Sequence, residues 1–273
     1  MGREMVEMAL KPGWTMVIAF FNEERFLPAT LASIAAQVMR PLTLVLVDNG
    51  STDDGAAAAR VWAAGQVDLE VRVLREVTPG QVFGLAAGIA AVETEFVAIG
   101  DADTIYPPDY LVKAGAVFAA TADVVAVFAH DSAGAPGSWR ERWVRAGRDA
   151  VLLGVFRGQT YAGGYAHCYR TRALRAAGGY SPESWPYVLK DHELVNRVSK
   201  FGRFGRSPDL WVLPSDRRAD RGGVRWTLFE RVLYHATPFW AKDWFFYRFL
   251  GPRLEGRGMR DTALRTRGWD LMG

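Results

Sequence analysis

The sequence predicts an α/β protein, with a mostly parallel sheet flanked by helices on both faces. Two observations lead there. Between Trp14 and Asp103, short apolar runs without helical spacing alternate with amphipathic or alanine-rich stretches. Strand–helix–strand repetition of that kind implies parallel pairing through right-handed crossovers.

Each element has its own signature. Thr15–Phe20 is a buried strand, followed by a helix whose Leu27, Leu31, Ile34, Ala35 and Val38 share one face. Leu42–Val47 is a second strand, and Asp53–Ala64, rich in alanine, a second helix. Val71–Leu74 is a third strand. Gln81–Val92 is a third helix, and Gly80, Gly84 and Gly88, spaced four apart at and within it, suit close packing rather than a phosphate loop. Phe96–Ile99 is a fourth strand. After Asp103 the alternation fails: a helix starts at Tyr106-Pro107-Pro108-Asp109 and runs to about Ala120, Asp123–Ala129 is a strand, and Asp191–Phe201 a helix with Leu194, Val198 and Phe201 inward.

The composition of the 273 residues, 49% hydrophobic and 23% charged, excludes a disordered chain and a coiled coil. No apolar run reaches the roughly 18 residues a membrane-spanning helix needs. The opening MGREMVEMALKPGW carries acids and no apolar core, so no secretory signal is expected. A single cysteine, Cys168, allows no internal disulfide, and a cytoplasmic location is expected. The net charge of +3 is too small to indicate a nucleic-acid partner. From Pro214 onward, however, 12 Lys and Arg stand against 7 Asp and Glu, which sets a boundary there. The expected organisation is an α/β domain over 1–213 (halves 14–105 and 106–213) and a helical extension over 214–273.

In a parallel sheet the ligand crevice lies beyond the carboxyl ends of the strands. Three polar stretches fall there: Asn22-Glu23, Asp48-Asn49-Gly50-Ser51 and Asp101-Ala102-Asp103. Two carboxylates one residue apart suit a hard divalent cation, or else begin a turn. Asp48 suits a base or ribose, or else caps backbone N–H groups of its own turn.

The stretches TMVIAFFNEERFLPATLASIAAQ (15–37), VLVDNGSTDD (45–54), FVAIGDADTIYPPDYL (96–111) and KDHELVNRV (190–198), taken in that order, resemble the family 2 glycosyltransferases of the GT-A fold. The resemblance implies a nucleotide-sugar donor, with a UDP-sugar favoured, Mn²⁺ or Mg²⁺, and inversion at the anomeric carbon. By position it assigns Phe20, Glu23, Asp48, Asn49 and Asp101 to the nucleotide, Asp103 with Asp101 to the metal, and Asp191 to the general base. Tyr161-Ala162-Gly163-Gly164 and Gly178-Gly179-Tyr180 would border the acceptor, with Lys190 and His192 beside it and His167 nearby. The chain departs from the family in three places. Lys190 stands where a Glu is usual, to bind an acidic acceptor or phosphate or to face solvent. Leu85 and Ala86 stand where many members carry Arg and Asn. Gly222 precedes Arg225-Trp226 where processive synthases carry Gln or Arg, so single addition is expected.

Ten aromatics lie between Trp226 and Phe249, interleaved with Arg225, Arg231, Lys242 and Arg248 and interrupted by Pro238. Two short helices fit, either packed on the catalytic domain or another copy, or lying at a membrane surface through 224–250. The acceptor is then a sugar or lipid-linked hydroxyl, in surface glycan or glycolipid synthesis on the cytoplasmic membrane face. The alternative function is a non-catalytic binding or membrane-docking module on the same fold.

Overall fold

The computed structural model describes residues 10–132, 137–155, 159, 163–215 and 226–264. Tyr161, Ala162, Gly222 and Arg225 lie outside them. In the first half the expected alternation is present: β1 (Lys11–Phe20), α1 (Leu27–Ala35), β2 (Leu42–Asp48), α2 (Gly55–Ala64), β3 (Glu70–Arg75), α3 (Gln81–Ala90) and β4 (Thr94–Gly100). β1 pairs in parallel with both β2 and β4, and β2 with β3. β1 is therefore central, and it is buried from Trp14 to Phe20. That double burial is why its sequence reads as a continuous apolar run rather than an alternation.

The second half holds β5 (Thr104–Ile105), α4 (Tyr110–Ala120), β6 (Val124–Asp131), α5 (Trp139–Gly154), β7 (His167–Arg170), α6 (Thr171–Ala176), α7 (Lys190–Val198) and β8 (Arg203–Pro214). β7 runs antiparallel to both β4 and β6, and the full order is β3-β2-β1-β4-β7-β6-β8-β5. Because β7 reverses direction, β6 again points the same way as β4 and brings its carboxyl end to the same edge. The helix expected from Tyr106 begins at Tyr110 instead, because β5 and two prolines precede it. Val38 and Phe201, expected on apolar faces, lie past the ends of α1 and α7 and are 68% and 49% exposed.

Close packing of α3 on the sheet depends on its glycines. A Cβ at Gly84 would stand 2.9 Å from the Ala19 Cβ, and one at Gly88 would overlap Val17 Cγ1. The extension contributes α8 (Leu228–Ala236), a π-helical turn at Trp244–Leu250, and α9 (Gly251–Gly256). Thr227 and Glu230 close α8 with a reciprocal capping box. Its core of Tyr234, Phe245, Phe246, Leu250 and Leu254 packs on Trp185 and Val188, which precede α7. The extension thus covers the segment that delivers α7.

Lys242, one of the basic residues interleaved with the aromatics of the tail, is buried. Its ammonium sits 3.8 Å over the Tyr234 ring and donates to the Tyr234 carbonyl. Burial pushes its pKa down to about 7.

This packing can be tested through stability. Gly88→Ala should cost about 1–3 kcal/mol in denaturant unfolding, the usual range for overpacking. Gly65→Ala, which meets only ordinary contact at the end of α2, should change little. For Lys242 the unfolded chain holds the proton more tightly than the folded one, so stability should rise with pH from about 7 to about 10. Lys242→Met should flatten that rise and raise the midpoint at pH 7; parallel pH profiles for the two proteins would contradict the assignment.

Candidate active site

The β1–α1 and β2–α2 loops are tied into one rim. Asn22, at φ 54°, accepts through Oδ1 from the Thr52 N–H at 2.8 Å, and its own N–H donates to Ser51 Oγ at 3.1 Å. The Glu24 N–H donates to Asp53 Oδ2 at 2.9 Å. Asp48, at the end of β2, accepts from the Ser51 N–H at 2.8 Å, so it closes its own turn. A carboxylate has about four lone-pair sites, so this turn bond leaves acceptor capacity for a ligand. Glu23 is half-buried on the same rim.

Asn49 differs from the expectation of a base contact. Its two amide hydrogens go to the carbonyls of Glu76 and Thr78, and its Oδ1 accepts from the Gly80 N–H. It is 2% exposed and its donors are spent on shaping the loop into α3. Phe20 is likewise a core side chain, packed with the central strand. Leu85, one of the departures, is buried in that core as well.

Asp101 and Asp103 follow β4. The Asp101 N–H donates to Tyr106 Oη at 3.1 Å, and its Oδ1 accepts from Gln81 Nε2 at 3.1 Å. Asp103 is nearly buried, and its Oδ2 accepts from Ser215 Oγ at 2.7 Å. Among the described residues no group of three or more His, Cys, Asp or Glu side chains converges. The donor set still fits a hard divalent cation that takes two carboxylates from the protein and its other oxygens from diphosphate and water.

Asp191 lies one residue inside α7, behind Leu189 and Lys190. Leu189 adopts φ 64° and ψ 24°, a left-handed conformation unusual for leucine. Local strain of this type costs on the order of 1–3 kcal/mol and must be held by the surroundings. Here the surroundings are Trp185, Val188 and the extension that packs on them. Asp191 is not the N-cap of α7; that position is Leu189. Its Oδ1 accepts from Tyr180 Oη at 2.6 Å. Gly164 leaves the space it occupies, since a Cβ there would overlap its carboxylate. Gly163 precedes Gly164 in the same short turn. The Tyr106 hydroxyl donates to the Tyr165 carbonyl at 3.2 Å, which ties this loop to the Asp101 loop.

Burial raises the Asp191 carboxyl, but Lys190, His167, the Tyr180 hydroxyl and His192 outweigh it, and the net pKa lies below the ordinary carboxylate value. Lys190 does not reach solvent. Its Nζ is 2.7 Å from Asp261 Oδ1, and both side chains are buried. Burial disfavours its charge, but Asp261, Asp191 and Asp101 restore it, and its pKa ends above the ordinary lysine value. Asp261 is the residue that sequence reasoning missed. It comes from beyond α9, and its Oδ2 accepts from the Val82 N–H in the first turn of α3 at 2.8 Å. The one available signal was Lys190 itself, because a buried ammonium needs an acidic partner.

His192, expected at the acceptor, is enclosed by Trp226 and Tyr234, with ring centroids at 5.3 and 5.6 Å. Burial pushes its pKa down to about 4, so it is neutral at physiological pH. His167 is fully buried and bonds Tyr169 Oη through Nδ1 at 2.8 Å. Asp48 and Asp101 thus follow the carboxyl ends of β2 and β4 on either side of β1, Asp101 and Asp191 both act on Lys190, and Gly164 lies against Asp191, while Asn49, Lys190 and His192 contact other protein groups.

Comparison with known proteins shows the family and the fold. An undecaprenyl-phosphate 4-deoxy-4-formamido-L-arabinose transferase of Serratia proteamaculans is 33% identical over 98 residues, 35% of this chain and 30% of that protein. The chain spans about a third of the length of the curated relatives it matches. Among solved structures, S. aureus TarS 1–349 in complex with UDP-GlcNAc superposes with a TM-score of 0.62 at 18% identity, covering 95% of this chain and 77% of that one. The mannosyltransferase PcManGT from Pyrobaculum calidifontis, in complex with GDP-Man and Mn²⁺, gives 0.64 at 20% identity, covering 88% and 68%. Both are GT-A glycosyltransferases and share the fold. The family model described as "Glycosyl transferase family 2" matches residues 15–177, more than half of the chain, and the protein belongs to that family.

Proposed function

We propose that this glycosyltransferase moves a sugar from a nucleoside-diphosphate sugar to an acceptor hydroxyl by a single displacement with inversion. The observation that carries the reading is Asp191: a carboxylate at the crevice, kept ionised, oriented by Tyr180 and given room by Gly164. A general base must be deprotonated at working pH and within reach of the proton it takes. Asp191 takes the acceptor proton as that oxygen attacks the anomeric carbon from the face opposite the diphosphate.

The donor rests against the rim made by Glu23, Asp48 and Asp101. Asp103, with Asp101, would hold Mn²⁺ or Mg²⁺, which when bound neutralises charge on the leaving diphosphate. The Mn²⁺ in the PcManGT complex supports this choice. UDP-sugars are the donor class to test first, because the TarS complex holds UDP-GlcNAc; the GDP-Man complex makes GDP-sugars the second. The Serratia relative bears an undecaprenyl-phosphate name, which supports a lipid-linked acceptor.

Two experiments test this. A nucleotide at a hundred times its dissociation constant adds about 2.7 kcal/mol of stability. One of UDP, GDP, CDP or dTDP should therefore raise the melting temperature in the presence of Mn²⁺, and Asp103→Asn should abolish that shift. No shift with any nucleotide would end the nucleotide-sugar reading. For catalysis, Asp191→Asn should lower kcat by at least a hundredfold. Lys190→Gln removes the charge that most lowers the Asp191 pKa, so the acid limb of kcat/KM should move to higher pH. An unchanged limb would show that Lys190 does not tune the base.

A further inference from the structure

α5 is built inside out. Of its 16 residues only Asp149 is buried, and that carboxylate faces the sheet, accepting from His130 Nε2 at 3.0 Å with Arg206 at 3.6 Å. Ser138 caps its first turn, so the helix is properly started. Its large apolar side chains point the other way. Trp139, Trp143, Val144, Val151 and Val155 at its end are each more than half exposed. At about 100° per residue they fall within roughly 160° of arc, a single outward stripe. A helix normally buries its apolar stripe, and exposed patches of this size mark an interaction site.

α8 repeats the pattern. Leu228, Phe229 and Val232 are more than half exposed, as are Phe239 and Trp240 just beyond. The chain just beyond α5 is bonded to α8. Gln159, a few residues past α5, bonds His235 Nδ1 through Oε1 at 2.8 Å. His235 lies three residues from Val232, so this contact sits beside the α8 stripe.

The charge around these stripes is mostly of one sign. Arg140, Arg148, Arg231 and Arg248 are exposed, and Arg142, also exposed, is paired with Asp209. Of the acids on the same elements, Asp149 and Glu230 are buried, Asp243 is paired with Lys200 at 2.6 Å, and Glu141 accepts from the Gly137 N–H at 2.6 Å. No described helix is long and apolar enough to cross a membrane. Aromatics and valines outward, arginines at their margins and no spanning length are the chemistry of a helix lying in a headgroup layer.

We infer that α5 and α8, with Phe239 and Trp240, form one docking face for an anionic lipid bilayer surface. The face flanks the acceptor side of the crevice. β6 leads from Asp131 toward α5, and the Asp131 carboxylate accepts from Tyr165 Oη at 2.8 Å, next to the Gly164 that borders Asp191. Bilayer binding itself does not depend on the transferase reading; only its use, presenting a lipid-linked acceptor, does.

The test is vesicle flotation. Wild type should float with phosphatidylcholine vesicles containing about a third phosphatidylglycerol, the anionic surface an interfacial helix with basic margins prefers, and much less with phosphatidylcholine alone. The anionic preference should weaken as salt rises from about 0.05 to about 0.5 M. Trp139→Ser with Trp143→Ser, and separately Phe239→Ser with Trp240→Ser, should each lower the bound fraction at least tenfold. All four are surface positions, so circular dichroism and the nucleotide-dependent melting shift should stay as in wild type. Val67→Ser, at an exposed valine far along the chain from either helix, should change nothing. Wild type that stays unbound, or pairs of substitutions that leave binding intact, would overturn the inference. So would a concentration-dependent dimer abolished by the same substitutions while vesicles go unbound, because a second copy would then be the occupant.

Discussion

A half-buried carboxylate held ionised is the constraint that organises this molecule. Burial opposes the charge of the half-buried Asp191, and Lys190 is the largest of the groups that offset it. Lys190 in turn is buried and needs an anion of its own, which Asp261 provides. Asp261 then uses its other oxygen on the Val82 N–H, which anchors the chain beyond α9 to the first turn of α3. One chain of polar contacts thus joins α7, α3 and the chain beyond α9. Breaking a buried pair by removing one partner strands a charge, typically at a cost of about 3–5 kcal/mol. The extension is therefore bonded into the surroundings of Asp191 and not merely appended to the sheet.

The same economy explains the neighbouring residues. The left-handed Leu189 precedes Lys190 and Asp191, the first two residues of α7. Gly164 keeps the floor under Asp191 free of a side chain. Burial, and then Asp191, raise the pKa of the Tyr180 hydroxyl well above the ordinary value, so it remains a donor to the carboxylate. On the donor side, Asn49 spends its amide on the loop before α3 and so fixes where Gln81 meets Asp101.

The alternation of the first half was legible because each parallel strand there is buried on both faces and reads as an unbroken apolar run. The acids of the crevice were legible because strand ends in such a sheet share an edge. β7 was not legible: four residues, HCYR, mix polar and apolar types and pair antiparallel between two parallel strands. β8 carries Gly205, Pro208 and Asp209, which break any strand pattern, and it is only partly buried. α5 was missed because its apolar residues do not face the core, so periodicity gave no reason to dock it. The pairing of Lys190 with Asp261 joins positions 71 residues apart, and no local pattern encodes a contact of that range.

Asp191 as the base of a single displacement is tested most directly by the configuration of the product. The nucleotide sugar that binds in the melting experiment would be incubated with the enzyme, and the first sugar released to acceptor or water followed by proton NMR of the anomeric signal. The anomer opposite to that of the donor should appear first, and Asp191→Asn should suppress its formation. A product that keeps the donor configuration would require a covalent or front-face route and would contradict Asp191 acting as that base.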